Sequence, residues 1–173
     1  DQLVATTTNL NDCLRVFLRI CDAVAFAHSH GVLHRDLKPS NIMVNQRGHI
    51  VLVDFGIAKH FQSGQKGTMI GTEGYAPPEQ YRGEATHQAD IYALGATLHH
   101  ILTRKDPRME APFYFADCPV RKVNPAISPE LESVIHTALQ YNPEDRYQSA
   151  EEMRDAMLSA ARRTGMLARI AIP

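Results

Sequence analysis

Apolar residues recur along the first thirty positions with the spacing of a helix. Between Asn11 and His30 they fall at positions 14, 17, 18, 21, 24, 25 and 28, which is one face of an α-helix. Gly31 stands where such a helix would end. The pattern predicts a long amphipathic helix, and it places Cys21 on the buried face as a small hydrophobic residue rather than a reactive thiol.

Two short apolar runs follow and predict a β-hairpin. They cover residues 41–44 and 50–53, and the polar turn between them contains Gly48. Residues 55–74 are rich in Gly, Ser, Thr and Lys and show no lasting periodicity, which predicts a long loop. Loops of that length within a compact domain tend to be functional.

From Pro77 onward the pattern is typical of helices. Residues 90–102 are apolar enough for a buried central helix, whereas residues 106–125 contain four prolines and should be mostly irregular. Ser128 precedes a proline, and Ser149 is followed by Glu151 and, three residues on, by Glu152, so both serines are predicted N-caps. The last helix should reach about Arg162. The predicted fold is therefore mainly α, with one small hairpin.

Composition narrows the class of protein. The chain has 173 residues and a net charge of -1, so it is about one domain with no field that would attract nucleic acid or anionic lipid. No apolar run approaches the ~18 residues of a membrane span. The three cysteines are odd in number and lack a CxxC spacing, which argues against a disulfide framework or a zinc site. We expect a cytoplasmic protein, with any membrane tether lying outside this stretch.

The hairpin carries a polar set that suits phosphoryl transfer. This reaction needs a carboxylate aimed at the attacking hydroxyl, positive charge on the transferred group, and a divalent metal on the phosphates. Asp36 and Lys38 are candidates for the first two. Asn41 and Asp54 lie at the two ends of the hairpin, so strand pairing should bring their oxygens close enough to share Mg²⁺.

Five motifs in fixed order resemble the large C-terminal lobe of the bacterial, eukaryotic-like Ser/Thr protein kinases. They are HRD at 34–36 with Lys38 and Asn41, DFG at 54–56, GTEGYAPPE at 71–79, DIYALG at 90–95 and NPEDR at 142–146. The resemblance covers residues 1–162 and leaves 163–173 as a tail. Pro77 is a departure, because the family more often has alanine there.

The resemblance implies a role for each matching residue. Asp36 is similar to the catalytic base, Lys38 to the γ-phosphate contact, and Asn41 and Asp54 to the Mg²⁺ ligands. Met43 matches the family position whose side chain lies beneath the adenine of ATP. The cofactors implied are ATP and Mg²⁺, and the implied substrates are Ser or Thr hydroxyls of proteins.

The activation segment and the supporting residues follow from the same resemblance. Arg35 would receive a phosphate placed on Ser63, Thr68 or, less favourably, Thr72. Thr72 would also bond the catalytic loop. The supporting positions are His34, Phe55, the buried Glu79–Arg146 ion pair, and Asp90, which would bond the catalytic-loop backbone.

The resemblance also implies a partner, because the glycine-rich loop and the lysine of the small N-terminal lobe should precede residue 1. Two hypotheses follow. In the first, the chain is the catalytic lobe of a Ser/Thr kinase and is inactive without its N-terminal lobe. In the second, it is a noncatalytic lobe or pseudokinase remnant that docks partners.

Other clusters have plainer explanations. His28 lies on the apolar helix stripe and His34 in the catalytic-loop motif, so a metal site with His30 is disfavoured. The adjacent His99 and His100 face different directions on a helix and are not expected to take part in chemistry. Residues 113–115 are aromatic, and packing of an irregular segment is favoured over a partner patch.

Overall fold

A computed structural model describes residues 2–56, 71–109 and 113–165. The predictions for Ser63 and Thr68, for most of the 55–74 loop and for most of the tail lie outside the described residues. The helices are α1 (Gln2–Thr6), α2 (Leu10–Ser29), α3 (Pro78–Tyr81), α4 (His87–Thr103), α5 (Val120–Val123), α6 (Pro129–Ala138) and α7 (Ala150–Arg163). The strands are β1 (Ile42–Val44) and β2 (Ile50–Leu52), and short 3₁₀ turns lie at Pro39–Asn41, Phe115–Asp117 and Pro143–Asp145.

Side-chain caps start the longer helices. The hydroxyl of Ser128 accepts the N–H of Leu131 at the start of α6, and that of Ser149 accepts the N–H of Glu152 at the start of α7, so both predicted caps are confirmed. The Glu152 carboxylate accepts from the N–H of Gln148, one residue before the cap. Each cap satisfies a backbone donor that the helix itself leaves open.

Helix α4 is the centre of the core, as its apolar sequence predicts. It is buried along nearly its whole length, with α2, α6 and α7 packed around it. At Gly95 a Cβ atom would lie 2.8 Å from the Cβ of Ala138, so glycine lets α4 and α6 approach closely. Cys21 on α2 is fully buried in the same core, which confirms its structural interpretation.

The predicted hairpin is confirmed. Strands β1 and β2 pair antiparallel, with Ile42 opposite Leu52 and Met43 opposite Val51. Ile42 points into the core, whereas Met43 and Val51 share the outer face and remain about two-fifths exposed. This alternation is the period of two that a half-buried strand requires. The hairpin therefore fixes the loop before β1 and the residues after β2 at one edge of the helical core.

Where the structure describes it, the segment that follows α4 is mostly irregular, as predicted, with two short helical stretches. It contains the 3₁₀ turn Phe115–Asp117 and the short helix α5. Phe113 and Phe115 make edge-to-face contacts with His99 and with each other, as the packing interpretation expects. Tyr114 is 62 % exposed. Among the described residues, no helix is both long and apolar enough to cross a membrane.

Candidate active site

The loop at residues 34–36 is held by hydrogen bonds to helix α4. Asp90, buried in the first turn of that helix, accepts the N–H of His34 at 2.9 Å and the N–H of Arg35 at 3.0 Å. Arg35 has φ 71°, a region that non-glycine residues seldom adopt. Such a conformation persists only where its surroundings hold it. The two bonds from one carboxylate provide part of that restraint.

The ring of His34 ties this loop to the end of the hairpin. Its Nε2 lies 2.9 Å from the carbonyl oxygen of Val53, and its Nδ1 accepts the N–H of Asp36 at 3.1 Å. Burial lowers the pKa of His34, although the Val53 carbonyl and nearby carboxylates act in the opposite direction. The neutral ring with its proton on Nε2 satisfies both contacts. Phe55 packs on the ring with centroids 4.3 Å apart.

Asp36 lies at the end of a chain of polar contacts. The hydroxyl of Thr72 donates to Oδ1 of Asp36 at 2.6 Å and accepts from Nζ of Lys38 at 2.8 Å. Nζ itself is 3.9 Å from Oδ2 of Asp36. Asp36 is only 5 % exposed, so these contacts act where water competes weakly. The structure thus brings the Thr72 hydroxyl to the Asp36 carboxylate and the Lys38 ammonium group, which lie 36 and 34 positions earlier in the sequence.

Asn41 offers an oxygen beside this carboxylate. Its Nδ2 donates to the carbonyl oxygen of Asp36 at 2.8 Å and also lies 3.3 Å from Oδ2 of Asp36, which leaves Oδ1 facing away from those bonds. The backbone carbonyl of Asn41 accepts the N–H of Val53 at 2.9 Å, so strand pairing continues to the residue before Asp54. Amide and carboxylate oxygens are suitable ligands for a hard divalent cation.

Asp54 is the most open member of the set. It is exposed and has φ 54°, and within the described residues it makes no hydrogen bond or ion pair. A carboxylate in that setting is available to a cation. On the hairpin that precedes it, Met43 and Val51 pair and form a small exposed apolar face. The residues present therefore fit a metal-bound nucleotide, with oxygen ligands for the metal and an apolar surface for the nucleobase.

Glu79 and Arg146 form a buried, two-pronged ion pair. The distances are 2.5 Å for Nη1 to Oε1 and 3.0 Å for Nη2 to Oε2, and both side chains are almost completely buried. The contact that the resemblance implied is present. It anchors α3, and with it the end of the 71–81 segment, against the loop after α6.

The histidines near the start of the chain do not converge. His28 Nε2 lies 2.7 Å from Oδ2 of Asp90, His30 bonds the carbonyl of Phe26, and His34 contacts Val53. Its place on the apolar stripe predicted that His28 would be buried, but it did not reveal this polar contact. His28 also stacks on His87, with centroids 4.3 Å apart.

Sequence reasoning missed two further polar residues. Gln80, directly after Glu79, donates from Nε2 to the carbonyl oxygen of Arg35 at 2.7 Å. His100, treated as unrelated to chemistry, lies 2.7 Å from the hydroxyl of Tyr75 in the 71–81 segment. Burial lowers the pKa of His100 and raises that of Tyr75. Adjacency to a motif residue was the only sequence signal for Gln80, and His100 had none.

Comparison with known proteins gives this geometry a family. Residues 3–158 match the sequence profile of the family described as "Protein kinase domain". The chain belongs to the protein kinase family. Its residues cover part of a kinase catalytic domain, mostly helical with a small two-stranded sheet, as the sequence motifs predict.

Curated relatives include bacterial Ser/Thr protein kinases. The chain is 38% identical to serine/threonine-protein kinase PknB of Mycolicibacterium smegmatis over 90% of its own length and 29% of that protein. It is 36% identical to a probable serine/threonine-protein kinase of Streptomyces coelicolor, over 82% of this chain and 23% of that one. The chain thus spans under a third of the curated relatives' length.

Solved kinase structures share the fold. The kinase domain of PknI from Mycobacterium tuberculosis superposes with a TM-score of 0.71 at 28% identity, covering 88% of this chain and 56% of that one. A structure titled "PpkA-294 apo form" gives a TM-score of 0.66 at 28% identity, covering 90% of this chain and 59% of the other. Members of this family use ATP and a metal and act on proteins.

Proposed function

We propose that this chain supplies the catalytic and substrate-binding part of a Ser/Thr protein kinase, which transfers the γ-phosphoryl group of ATP to a Ser or Thr hydroxyl of a protein. The observation that carries the proposal is the contact chain from Lys38 through Thr72 to Asp36. It brings a base and a cation to one partly buried hydroxyl. The relatives named as Ser/Thr kinases support the same reaction class.

Each polar residue then has a task. Asp36 accepts the proton of the attacking hydroxyl, and Lys38 neutralises charge on the transferred group. Asn41, through Oδ1, and Asp54 would hold Mg²⁺. When bound, Mg·ATP supplies the phosphoryl donor and the metal charge on its phosphates. Met43 would lie beneath the adenine as part of the apolar face of the hairpin.

Arg35 and the 71–81 segment serve regulation in this proposal. Nε of Arg35 is buried and lacks a hydrogen-bond partner among the described residues. A phosphate on Ser63 or Thr68 would satisfy it and bring charge-assisted hydrogen bonds. The hydroxyl of Thr72 already contacts Asp36 and Lys38, which makes Thr72 a less suitable phosphate acceptor than the other two.

The partners follow from the family. We propose that an N-terminal kinase lobe completes the nucleotide site above the hairpin, and that protein substrates dock against the 71–81 segment. With a net charge of -1, nucleic acid is not a proposed partner. A cytoplasmic location is part of the same proposal.

The test is phosphoryl transfer to a generic protein substrate by the full gene product, compared with Asp36→Asn. We expect the variant to lose roughly 10²- to 10⁴-fold in kcat, because a positioned general base is removed. Asp54→Asn should weaken the response to Mg²⁺ concentration. Asp155→Asn, at an exposed carboxylate on α7, is the matched control and should keep wild-type rates. Equal rates for wild type and Asp36→Asn would refute the proposal.

A further inference from the structure

The peptide bond between Arg35 and Asp36 is held at both of its polar atoms. Its carbonyl oxygen accepts from Nε2 of Gln80 at 2.7 Å, and its N–H donates to Nδ1 of His34 at 3.1 Å. Because a peptide group is planar, two such bonds fix its orientation. That orientation sets the direction in which the Asp36 side chain leaves the backbone.

This peptide needs external restraint. Arg35 has φ 71°, which is unfavourable for a residue with a Cβ atom. Asp90 fixes the two N–H groups that precede the peptide, at His34 and Arg35, but it does not touch the Arg35 carbonyl. Gln80, near the C-terminal end of the 71–81 segment, donates to that carbonyl. The restraint on the peptide is therefore shared between α4 and α3.

Gln80 is itself firmly placed. It is 5 % exposed and lies on α3, directly after Glu79, whose buried ion pair with Arg146 anchors that helix. Gly71 leaves room for its side chain, since a Cβ atom on Gly71 would collide with the Gln80 amide nitrogen. A long amide side chain held in this way can determine the position of the group that it contacts.

We propose that Gln80 is a positioning residue: it fixes the Arg35–Asp36 peptide and so aims the Asp36 carboxylate. This inference rests on the proposed function for the role of Asp36 as base. It also assigns a functional role to the Glu79–Arg146 ion pair that anchors α3, because displacement of α3 would release the Arg35–Asp36 peptide. The position of α3 is thereby transmitted to the base through the Gln80 side chain, beside the direct contact of Thr72 with the Asp36 carboxylate.

The first test compares Gln80→Met with wild type in the full gene product. Methionine keeps the length and volume and removes the donor. We expect kcat to fall roughly 10- to 100-fold, the effect of a misplaced catalytic group, with KM for ATP within twofold. Gln88→Met is the matched control, because it likewise removes a side-chain amide, here one that donates to Gln148 at the surface. An unchanged kcat in Gln80→Met, or an equal fall in the control, would overturn the proposal.

The second test uses the isosteric variant Gln80→Glu. An introduced carboxyl can donate to the Arg35 carbonyl only when protonated, and burial raises its pKa. Its kcat relative to wild type at the same pH should therefore rise as the pH is lowered from 8 to 6. A ratio that stays flat or falls would contradict the proposed hydrogen bond. If Gln80→Glu lowered kcat only by reducing the amount of folded protein, lowering the pH would not restore the activity.

A third readout does not depend on catalysis. Hydrogen exchange of peptides covering residues 34–37 reports whether the Asp36 N–H remains bonded. We expect exchange there to be about tenfold or more faster in Gln80→Met and unchanged in Gln88→Met. If wild type transfers no phosphate, the proposed function fails, yet this exchange still decides the role of Gln80. Unchanged exchange in Gln80→Met would overturn that role.

Discussion

A single hydroxyl joins the two charged side chains of the site. Thr72 donates to Asp36 at 2.6 Å and accepts from Lys38 at 2.8 Å, so it fixes both groups although it carries no charge. A hydrogen bond to an ionised group is worth roughly twice a neutral one. The position of the base relative to the ammonium group therefore depends on this hydroxyl.

The matched pair Thr72→Val and Thr72→Ser isolates that contribution. Valine preserves the shape of threonine and removes both contacts, so kcat should fall roughly 10- to 100-fold. Serine retains the hydroxyl, and its kcat should stay within about threefold of wild type. Steady-state kinetics with Thr72→Val, Thr72→Ser and wild type would show the difference. A serine variant as impaired as the valine variant would mean that the methyl group, not the hydroxyl, is required.

At the scale of elements, Arg146 holds several of them together. Besides the Glu79 carboxylate on α3, its guanidinium donates to the backbone carbonyls of Gln140, Gln88 and Tyr141, at 2.8, 3.0 and 2.9 Å. These contacts engage all five N–H groups of the side chain. Its guanidinium carbon also lies 5.0 Å from the ring centroid of Tyr92 on α4. One side chain thus joins α3, α4 and the loop after α6.

Charge alone should not replace this side chain. Arg146→Met strands the buried carboxylate of Glu79 and should reduce the free energy of unfolding by roughly 3–5 kcal/mol. Arg146→Lys keeps the charge but offers three donors in place of five, so we expect a loss of about 2 kcal/mol or more. Urea denaturation measures both values.

The same substitution at a surface ion pair is the control for this prediction. Arg154 contacts Asp22 at 2.8 Å, with the Asp22 side chain 57% exposed. Exposed pairs contribute little, so Arg154→Lys should change stability by less than about 1 kcal/mol. Equal losses for Arg146→Lys and Arg154→Lys would show that the five-bond geometry adds nothing to the charge.

At the scale of the whole molecule, local signals predicted the fold. Helical periodicity located α2 within one residue at each end, and the serine caps located α6 and α7. The hairpin and the polar set at residues 34–54 were also readable, because their members lie close in sequence. These features depend on contacts over a few positions, which a pattern of residues records directly.

The family resemblance implied some contacts between distant positions, such as that of Thr72 with the catalytic loop, but two others were not predicted. Gln80 bonds a carbonyl 45 positions away, and His28 bonds a carboxylate 62 positions away. Periodicity could mark His28 only as interior, since it carries no information about which polar partner the interior holds. A backbone carbonyl such as that of Arg35 is present at every position, so no residue pattern identifies it as a partner.

Buried histidines give the whole molecule a predictable response to acid. Burial is the main cause that lowers the pKa of His34, His99 and His100 below the ordinary 6.5, with nearby carbonyls or carboxylates acting against it. The folded state therefore resists protonation at these rings, whereas the unfolded chain takes up protons as pH falls through about 6.5. Unfolding is then accompanied by proton uptake, so the free energy of unfolding should decrease below that pH.

We expect the urea midpoint to be lower at pH 5.5 than at pH 7.5. Each such histidine can contribute up to about 1.4 kcal/mol per pH unit in this window. Asp106, whose pKa its contact with Arg108 lowers to about 2, acts only at more acidic pH and does not interfere. His99→Gln keeps a donor for the Cys118 carbonyl and should flatten the pH dependence, whereas His136→Gln, at an exposed position, should preserve it. Equal midpoints at the two pH values in wild type would contradict the neutral state assigned to the buried rings, including the His34 ring that accepts the N–H of Asp36.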